Sequence, residues 1–357
     1  MILHWLVALT AGLAILSTLL PLLRCDAWWV RIFEFPRVQI TVVSLVTLLA
    51  YGAIGNAWQA TDWLLWVGLA ACTVFQTIRI APYTPLFPKQ IHTAPQPAEK
   101  DTLHVIVSNV LMSNRKAEAL LRLVRQRKPD LLLTVESDRW WEQQLNTLEA
   151  DYPHSVKCPL DNLYGMHLYS RLPLVDPELH FLVEDDVPSI HAKVRLPSGR
   201  LVSLHCVHPA PPSPTENATS AERDGELLLV AKSLDKPARS VVVMGDLNDV
   251  AWSASTRMFQ HLSGLLDPRV GRGTFNTFHA RYPFLRWPLD HVFCSPDFTL
   301  VTMARLPNIG SDHFPIEAVL QRDPHAVALH DEPQADAEER EIADEKIDKV
   351  DADRQAL

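Results

Sequence analysis

The sequence contains few glycines and few cysteines, which limits the kinds of site it can form. Its 357 residues include 12 glycines and 5 cysteines. It has no glycine-rich loop of the type that binds a nucleotide phosphate, and no internal repeat. Beyond the first hundred residues only Cys158, Cys206 and Cys294 remain, an odd number without the spacing of a disulfide framework. We interpret these three as small buried apolar side chains.

An excess of basic residues is also absent. The net charge is −9, and the residues from Arg322 onward carry −7 of it, with twelve acidic and five basic side chains. No stretch alternates aromatic and basic residues as proteins that bind single strands do. These features do not support the broad basic face that is typical of nucleic-acid-binding domains. Residues 323–357 are predicted to form an acidic disordered tail, or at most a solvated helix.

Long apolar runs are present, and all of them lie in the first eighty residues. The runs cover residues 2–23, 38–55 and 63–80, lengths that approach or reach the span of a bilayer. A cleaved signal peptide is the alternative for the first run. That run lacks a basic segment before it, is long for a signal peptide, and is followed by two more runs. We therefore predict three transmembrane helices in residues 1–81.

Loop charge predicts how these helices are oriented. The first loop carries Arg24, Arg31 and Arg37, whereas the second, residues 56–62, carries no lysine or arginine. The positive-inside rule then places the first loop and the large C-terminal part in the cytoplasm. We expect an integral protein of a bacterial inner membrane. Residues 82–100 contain five prolines and are predicted to form a semi-extended linker.

Residues 101–322 alternate β-rich apolar runs with helical patterns. Residues 105–110 and 131–135 are strand-like, and residues 219–234 form an amphipathic helical pattern that leads into an apolar run at 241–244. Pro197, Ser198 and Gly199 predict a hairpin turn. Strands that alternate with helices and include hairpins indicate an α/β sandwich.

Polar residues follow several of these apolar runs. The run at 241–244 ends in Gly245, and alternation along a strand places Asp246 and Asn248 on the same side. Asp312 and His313 stand together some sixty residues later. An aspartate after a strand and a glycine is, taken alone, more often a turn or cap residue. The joint occurrence of several such residues at strand ends favours a functional site instead.

The order of these segments resembles the endonuclease/exonuclease/phosphatase superfamily, whose members cleave phosphate esters with a divalent metal. The resemblance covers about residues 100–322, and its motifs are HVIVSNV at 104–110, PDLLLTVE at 129–136, YGM at 164–166, LYSR at 168–171, LHCVHP at 204–209, VVVMGDLN at 241–248, PLDHVF at 288–293 and GSDH at 310–313. Val135 is one departure, because many members have a glutamine there. The resemblance implies two packed mixed β-sheets flanked by helices, a four-layer sandwich, after an all-α transmembrane region.

The resemblance also implies roles for nine residues. Mg²⁺ or Mn²⁺, which prefer oxygen ligands, would be bound or have their ligands oriented by Asn109, Glu136 and Asp312. Asp246 would hold and deprotonate the attacking water, although His313 is an alternative base. Asp290 would orient His313, and the remaining phosphate-contacting or acid groups would be Tyr164, His208 and Asn248.

These residues predict a membrane-anchored, metal-dependent phosphoester hydrolase, either a nuclease or a phosphodiesterase or phosphatase. The substrate could be a nucleic acid, a lipid or a small phosphate ester. Two alternatives remain: a lipid phosphodiesterase that acts at the bilayer, and a catalytically silent membrane-tethered binding module. Four arginines at 269, 272, 281 and 286 could bind a phosphate backbone or a headgroup, or serve only solubility.

Overall fold

The computed structural model describes residues 2–54, 59–96, 98–234 and 240–355. Its N-terminal region contains the helices α1 (Ile2–Leu19), α2 (Trp28–Arg31), α3 (Arg37–Ile54) and α4 (Ala60–Ile80). Within the described residues, three helices, α1, α3 and α4, are long and apolar enough to cross a membrane. They pack around Ala11, Ala14, Tyr51 and Leu69 and turn many other apolar side chains outward. These outward apolar surfaces suggest membrane association, and residues 56–58 of the predicted second loop lie outside the described residues.

One end of the three helices meets the rest of the chain. Near this end Arg37 donates to Gln76, and Gln76 donates to Thr18, so that all three helices are joined by hydrogen bonds. Beyond α4, the hydroxyl of Tyr83 donates to the carbonyl of Ala251 at 2.6 Å. The segment between α1 and α3 and the C-terminal part therefore lie at the same end of the helices.

Two mixed β-sheets form the C-terminal part. Their strands are β1 (Thr102–Asn109), β2 (Leu131–Val135), β3 (His154–Cys158), β4 (Met166–Ser170), β5 (Leu174–His180), β6 (Ser189–Arg195), β7 (Leu201–Val207), β8 (Ser240–Asp246), β9 (Asp290–Cys294), β10 (Phe298–Arg305) and β11 (Ile316–Arg322). One sheet has the strand order β10-β11-β1-β2-β4-β3 and the other β5-β6-β7-β8-β9. Among the strand pairs within the described sheets, only β1–β2 and β7–β8 are parallel.

Helices cover the outer face of each sheet. Helices α5 (Ala117–Arg127) and α6 (Arg139–Leu145) enclose one apolar core against the first sheet, and α7 (Ala221–Ser233) and α8 (Ala254–Ser263) enclose another against the second. A third and larger core lies between the sheets. Strands β2 and β8 read as nearly continuous apolar runs because both of their faces are buried. The predicted four-layer α/β sandwich is confirmed.

The proline-rich segment packs against the sandwich for part of its length. Ile91 is fully buried in the core between the sheets, and Ala94 donates to the carbonyl of Leu300 at 2.9 Å. Tyr83 packs on Trp252 with ring centroids 5.8 Å apart. The segment is therefore more firmly attached than the predicted linker; Pro97 lies outside the described residues.

The acidic tail differs from the expectation of a disordered or solvated segment. Residues Ala337–Gln355 form helix α9, which packs on α7 and buries Ala343, Ile347 and Val350. These three residues are spaced i, i+4 and i+7, a helical pattern that the high charge of the tail concealed. Lys346 lies between Asp26, at 2.8 Å, and Asp224, at 2.9 Å. The acidic composition is thus compatible with docking because Lys346 meets two carboxylates elsewhere in the chain.

We expect Lys346→Met to weaken the docking of α9 because it leaves the buried carboxylate of Asp224 with less compensating charge. The expected loss of unfolding free energy is about 3 kcal/mol, at the lower end for a broken buried pair. Limited proteolysis should cut within residues 337–355 faster than in the unaltered protein. The exposed Lys349 provides the matched control, and equal protection in Lys346→Met and Lys349→Met would contradict the assigned contact.

Candidate active site

Two strands of the candidate site, β1 and β8, each point a row of apolar side chains into the space between the sheets. In each strand the last residue of that row is polar. In β1, Val105 and Val107 lie in the core between the sheets, and Asn109 is the next residue on that face. In β8, Met244 lies in the same core and Asp246 is next. Because side chains alternate along a strand, both polar groups enter the space between the sheets at one edge.

The neighbours of β8 bring two more polar residues to this edge. In the parallel pair β7–β8, Val207 is opposite Gly245, so His208 lies beside Asp246. In the antiparallel pair β8–β9, Asp246 is directly opposite Asp290. In the other sheet Asn109 is opposite Val135, which places Glu136 next to it. The pairing registers thus assemble the cluster from strands that are far apart in sequence.

Asn109 connects the two sheets at the centre of the cluster. Its amide nitrogen donates to Glu136 Oε1 at 2.7 Å and to Asp246 Oδ2 at 3.0 Å, while its oxygen accepts from the backbone of Leu111 at 3.0 Å. A neutral amide donor holds these two carboxylates close together without adding charge. In this arrangement Asn109 orients Glu136 and Asp246.

Two residues of the cluster adopt left-handed backbone conformations. Glu136 has φ 56° and Asn248 has φ 51°. Asn248 donates its side-chain amide to the carbonyl of Pro209 at 3.0 Å, and its backbone nitrogen donates to Asp246 Oδ1 at 3.0 Å. Such conformations persist where the surroundings fix them, and they concentrate at functional sites.

His313 forms a buried pair with Asp290. Its Nδ1 donates to Asp290 Oδ2 at 2.8 Å, which leaves Nε2 facing Asp246 Oδ2 at 3.5 Å. Burial alone would lower the pKa of His313, but the Asp290 and Asp246 carboxylates outweigh it and raise that pKa to about 10. The imidazole therefore presents an N–H to the interior of the site.

His208 lies on the other side of Asp246, with its Nε2 4.0 Å from Asp246 Oδ2. Burial lowers the pKa of His208 to about 4, against the opposing effect of Asp246. Its Nδ1 is buried and has no hydrogen-bond partner among the described residues. The ring of Tyr164 packs at 5.5 Å from it. His208 is therefore a neutral donor with a nitrogen available to a further group.

The carboxylates of the site are in excess of its cationic side chains. Burial raises the pKa of Glu136 to about 7, and the carboxylates of Asp312 and Asp246 add to the effect, whereas Asn109 and His313 oppose it. Asp246, Asp290 and His313 can bring one ligand atom each within 4.8 Å of one another. Since carboxylate oxygens are what hard divalent cations prefer, this donor set fits a metal ion.

The group of Asp246, Asp290 and His313 differs from the predicted metal ligands, which are Asn109, Glu136 and Asp312. Asp290 Oδ2 already accepts from His313, and that hydrogen bond is typical of an orienting pair. Glu136 and Asp312 instead line one cavity. Among the residues that the structure describes, the Asp312 side chain accepts only from the adjacent Ser311, at 3.3 Å. We retain Glu136 and Asp312 as the candidate direct ligands for these reasons.

Not every predicted residue meets the cluster as expected. Tyr164 lines the same cavity, but its hydroxyl donates to Glu216, a residue that no sequence pattern indicated. Arg269 is fully buried and paired with Asp267, and Arg272 donates to two backbone carbonyls. Neither arginine is free to bind a phosphate. His291, which follows Asp290, is buried and its Nε2 lies 2.9 Å from the backbone carbonyl of Asp249.

A cavity of about 630 Å³ opens onto this cluster, within the usual range for ligand sites. Glu136, His208, Asn248, Asp312 and His313 form its polar end. Much of the remaining wall is apolar and includes Phe278, Leu285 and Trp287, which follow no strand pattern and were not predicted. Their segment approaches the site because Phe278 pairs with His313 through an isolated β-bridge.

An α/β sandwich of two mixed sheets, with a buried Asp–His cluster at the ends of its central strands, defines a phosphoesterase-type fold. The sequence model of the endonuclease/exonuclease/phosphatase family matches residues 106–313. The chain belongs to that family.

Solved structures show the same fold. D. rerio TDP2 complexed with single-strand DNA product is 19% identical, covers 62% of this chain and 99% of its own, and has a TM-score of 0.51. A family protein from Beutenbergia cavernae is 18% identical, over 63% of this chain and 72% of its own, with a TM-score of 0.51. A family protein from Bacteroides vulgatus is 17% identical, over 63% and 100%, with a TM-score of 0.51. No curated protein sequence matches the chain.

Proposed function

We propose that the protein is a divalent-metal-dependent hydrolase of phosphate esters. The observation that supports this most is the position of Asp246, which receives a hydrogen bond from Asn109 and faces both His208 and His313, two residues that line an open cavity. A catalytically silent binding module is disfavoured because the acid, base and metal-binding groups are all assembled there. Membership of the family adds independent support.

The roles follow from the contacts. A Mg²⁺ or Mn²⁺ ion bound by Glu136 and Asp312 would neutralise phosphate charge and acidify a bound water. Asn109 orients the Glu136 carboxylate. Asp246 holds the attacking water and takes its proton, since it lies at the centre of the cluster. Asn248 fixes the Asp246 carboxylate through its backbone N–H.

The remaining residues stabilise the phosphate and the leaving group. His313, oriented by Asp290, donates Nε2–H to a phosphate oxygen. The water oxygen forms a bond to phosphorus, and the bond from phosphorus to the ester oxygen breaks. The neutral His208 donates a hydrogen bond to the departing oxygen, which takes its proton from solvent water. Tyr164 would donate to a phosphate oxygen only after leaving Glu216.

We test this proposal with the full-length protein in detergent, with Mg²⁺ and then with EDTA. Duplex DNA, single-stranded DNA, phospholipid vesicles and a small phosphate ester are assayed in parallel. DNA is included because D. rerio TDP2 binds a single-strand DNA product. We expect hydrolysis of at least one substrate, its loss in EDTA and its recovery with Mg²⁺ or Mn²⁺.

Two histidine variants make this test specific. His313→Ala should remove the activity, whereas His325→Ala, which alters an exposed histidine outside the cavity, should leave it unchanged. Hydrolysis that survives both EDTA and His313→Ala would refute the proposed mechanism.

We also propose that α1, α3 and α4 anchor the protein in an inner membrane, with the catalytic part in the cytoplasm. The loop charges support this orientation, although Arg31 and Arg37 are paired with Asp26 and Glu34. Green fluorescent protein fused after residue 357 should fluoresce, and alkaline phosphatase fused there should be inactive. The opposite pair of results would reverse the orientation.

A further inference from the structure

The cavity at the candidate active site has a wall that the catalytic sandwich does not supply. Ile32, Phe35 and Pro36, from the segment between α1 and α3, line the same cavity as Asp312 and His313. The segment that connects two apolar helices therefore takes part in enclosing the site.

This wall is attached firmly to the sandwich. The Trp252 indole donates to the carbonyl of Glu34 at 2.9 Å, and the backbone nitrogen of Ala254 donates to the Glu34 carboxylate at 3.1 Å. Phe35 packs against Trp287 with ring centroids 5.8 Å apart. Trp252 and Glu34 are buried, so these contacts hold the segment in place against the sandwich. The segment is therefore a fixed part of the cavity wall.

A second apolar part of the cavity wall lies beside α3. Leu285, which lines the cavity, is 49% exposed, and its neighbour Phe284 is 88% exposed. The carbonyl of Phe284 accepts from Gln39, in the first turn of α3, at 2.8 Å. Ile32, which also lines the cavity, is 51% exposed. The cavity wall therefore has exposed apolar side chains close to the N-terminal end of α3.

We propose that the substrate is a membrane lipid phosphoester whose apolar chain lies in this cavity, along the wall that Ile32, Phe35, Leu285 and Trp287 form. Its phosphate then reaches His208 and His313 at the polar end. This inference rests on the proposed hydrolase function and specifies its substrate class. The step is the same hydrolysis, with water adding to phosphorus and the ester oxygen of the lipid or its headgroup leaving with a proton.

The charges near the cavity favour a lipid over a nucleic acid. Arg31, the basic residue on the wall from the α1–α3 segment, is buried and is bound to Asp26 at 2.9 Å and near Glu34 at 3.8 Å. It therefore offers little to a second phosphate along a strand. An apolar wall next to membrane helices instead matches an acyl or isoprenoid chain that enters from the adjoining leaflet.

The test measures how the length of an apolar chain affects binding at the site. Full-length protein in amphipol hydrolyses a small soluble phosphodiester, and ethyl-, hexyl- and dodecylphosphonate are compared as inhibitors. Each methylene that enters the cavity should improve inhibition by up to about fourfold. We expect dodecylphosphonate to inhibit at least about 100-fold better than ethylphosphonate.

Three variants locate the effect. Ile32→Asn and Leu285→Asn should each reduce the advantage of the dodecyl chain by about tenfold, measured as the ratio of dodecyl- to ethylphosphonate inhibition within the same variant. Leu201→Asn is the matched control, because Leu201 is 40% exposed and stands at the end of β7 remote from His208. Inhibition that is independent of chain length, or that changes equally in all three variants, would overturn the inference.

The failure of this inference can be separated from failure of the proposed function. Soluble-ester hydrolysis that depends on His313 but shows no effect of chain length would leave the function standing and overturn the lipid assignment. If no hydrolysis occurs, the proposed function is wrong. Calorimetric titration with the same phosphonates then shows whether the cavity binds an apolar chain. A dodecyl chain that binds no better than an ethyl chain in that titration would overturn the inference.

Discussion

Replacement of Asp246 by asparagine is expected to lower hydrolysis by about 10³-fold or more, since positioned general bases contribute about 10²–10⁴-fold. The substitution keeps the shape of the side chain and removes the carboxylate that faces both His208 and His313. An amide cannot accept the proton of the attacking water. The rate is measured on whichever substrate the unaltered protein hydrolyses, with saturating Mg²⁺.

The same substitution should leave the fold intact or slightly more stable. Burial raises the pKa of Asp246, so its ionised form is held at a cost in the folded state. Removal of that cost is typical of stabilising changes at active sites. Thermal unfolding by circular dichroism tests this expectation. Asp130→Asn is the control: Asp130 accepts from the backbone of His104 at 2.9 Å, at the other end of β1. A rate loss equal in both variants would argue against a catalytic Asp246.

The parts of the site that lie on regular strands could be predicted from the sequence. A strand buried on both faces appears in the sequence as a continuous apolar run. Because side chains alternate along a strand, the face of a polar residue at its end can be predicted. Asp246 was placed in this way, whereas Asn109, His208 and Asp290 were assigned through the resemblance to the family. The runs and their order indicated an α/β sandwich, and the resemblance added the two packed mixed sheets.

Contacts between segments with no shared pattern could not be predicted. Glu216 meets Tyr164, and Phe35 meets Trp287, through loops whose paths depend on tertiary packing. The tail was misjudged for a different reason. Its composition is strongly acidic, and only the positions of its few apolar residues, together with Asp26 and Asp224 elsewhere, give it a docking surface. Composition reports average charge, whereas docking depends on where each charge meets its partner.

Gly245→Ala is expected to unfold the second sheet, although it adds a single methyl group. Gly245 has φ 153°, and a Cβ there would lie 1.8 Å from the backbone carbonyl oxygen of Val207. That contact is with the strand paired to β8, so neither side can move without breaking the ladder that places His208 beside Asp246. We expect the unfolding free energy to fall by at least about 4 kcal/mol, a loss that single substitutions cause only through a specific defect such as this clash. Hydrolysis should be lost as well.

Gly199→Ala separates the clash from the general effect of losing a glycine. Gly199 also has a positive φ, 83°, but it lies in the hairpin turn before β7, and apart from Gly199 and its chain neighbours no atom of the described residues lies within 4 Å of the added Cβ. Its cost should be limited to the backbone strain, about 1–2 kcal/mol. Urea unfolding of both variants measures the difference. If Gly245→Ala were as stable as Gly199→Ala, then β7 and β8 would not approach each other this closely. Gly245 would then be needed only for its backbone conformation. The positions of His208 and Asp246 would need another explanation.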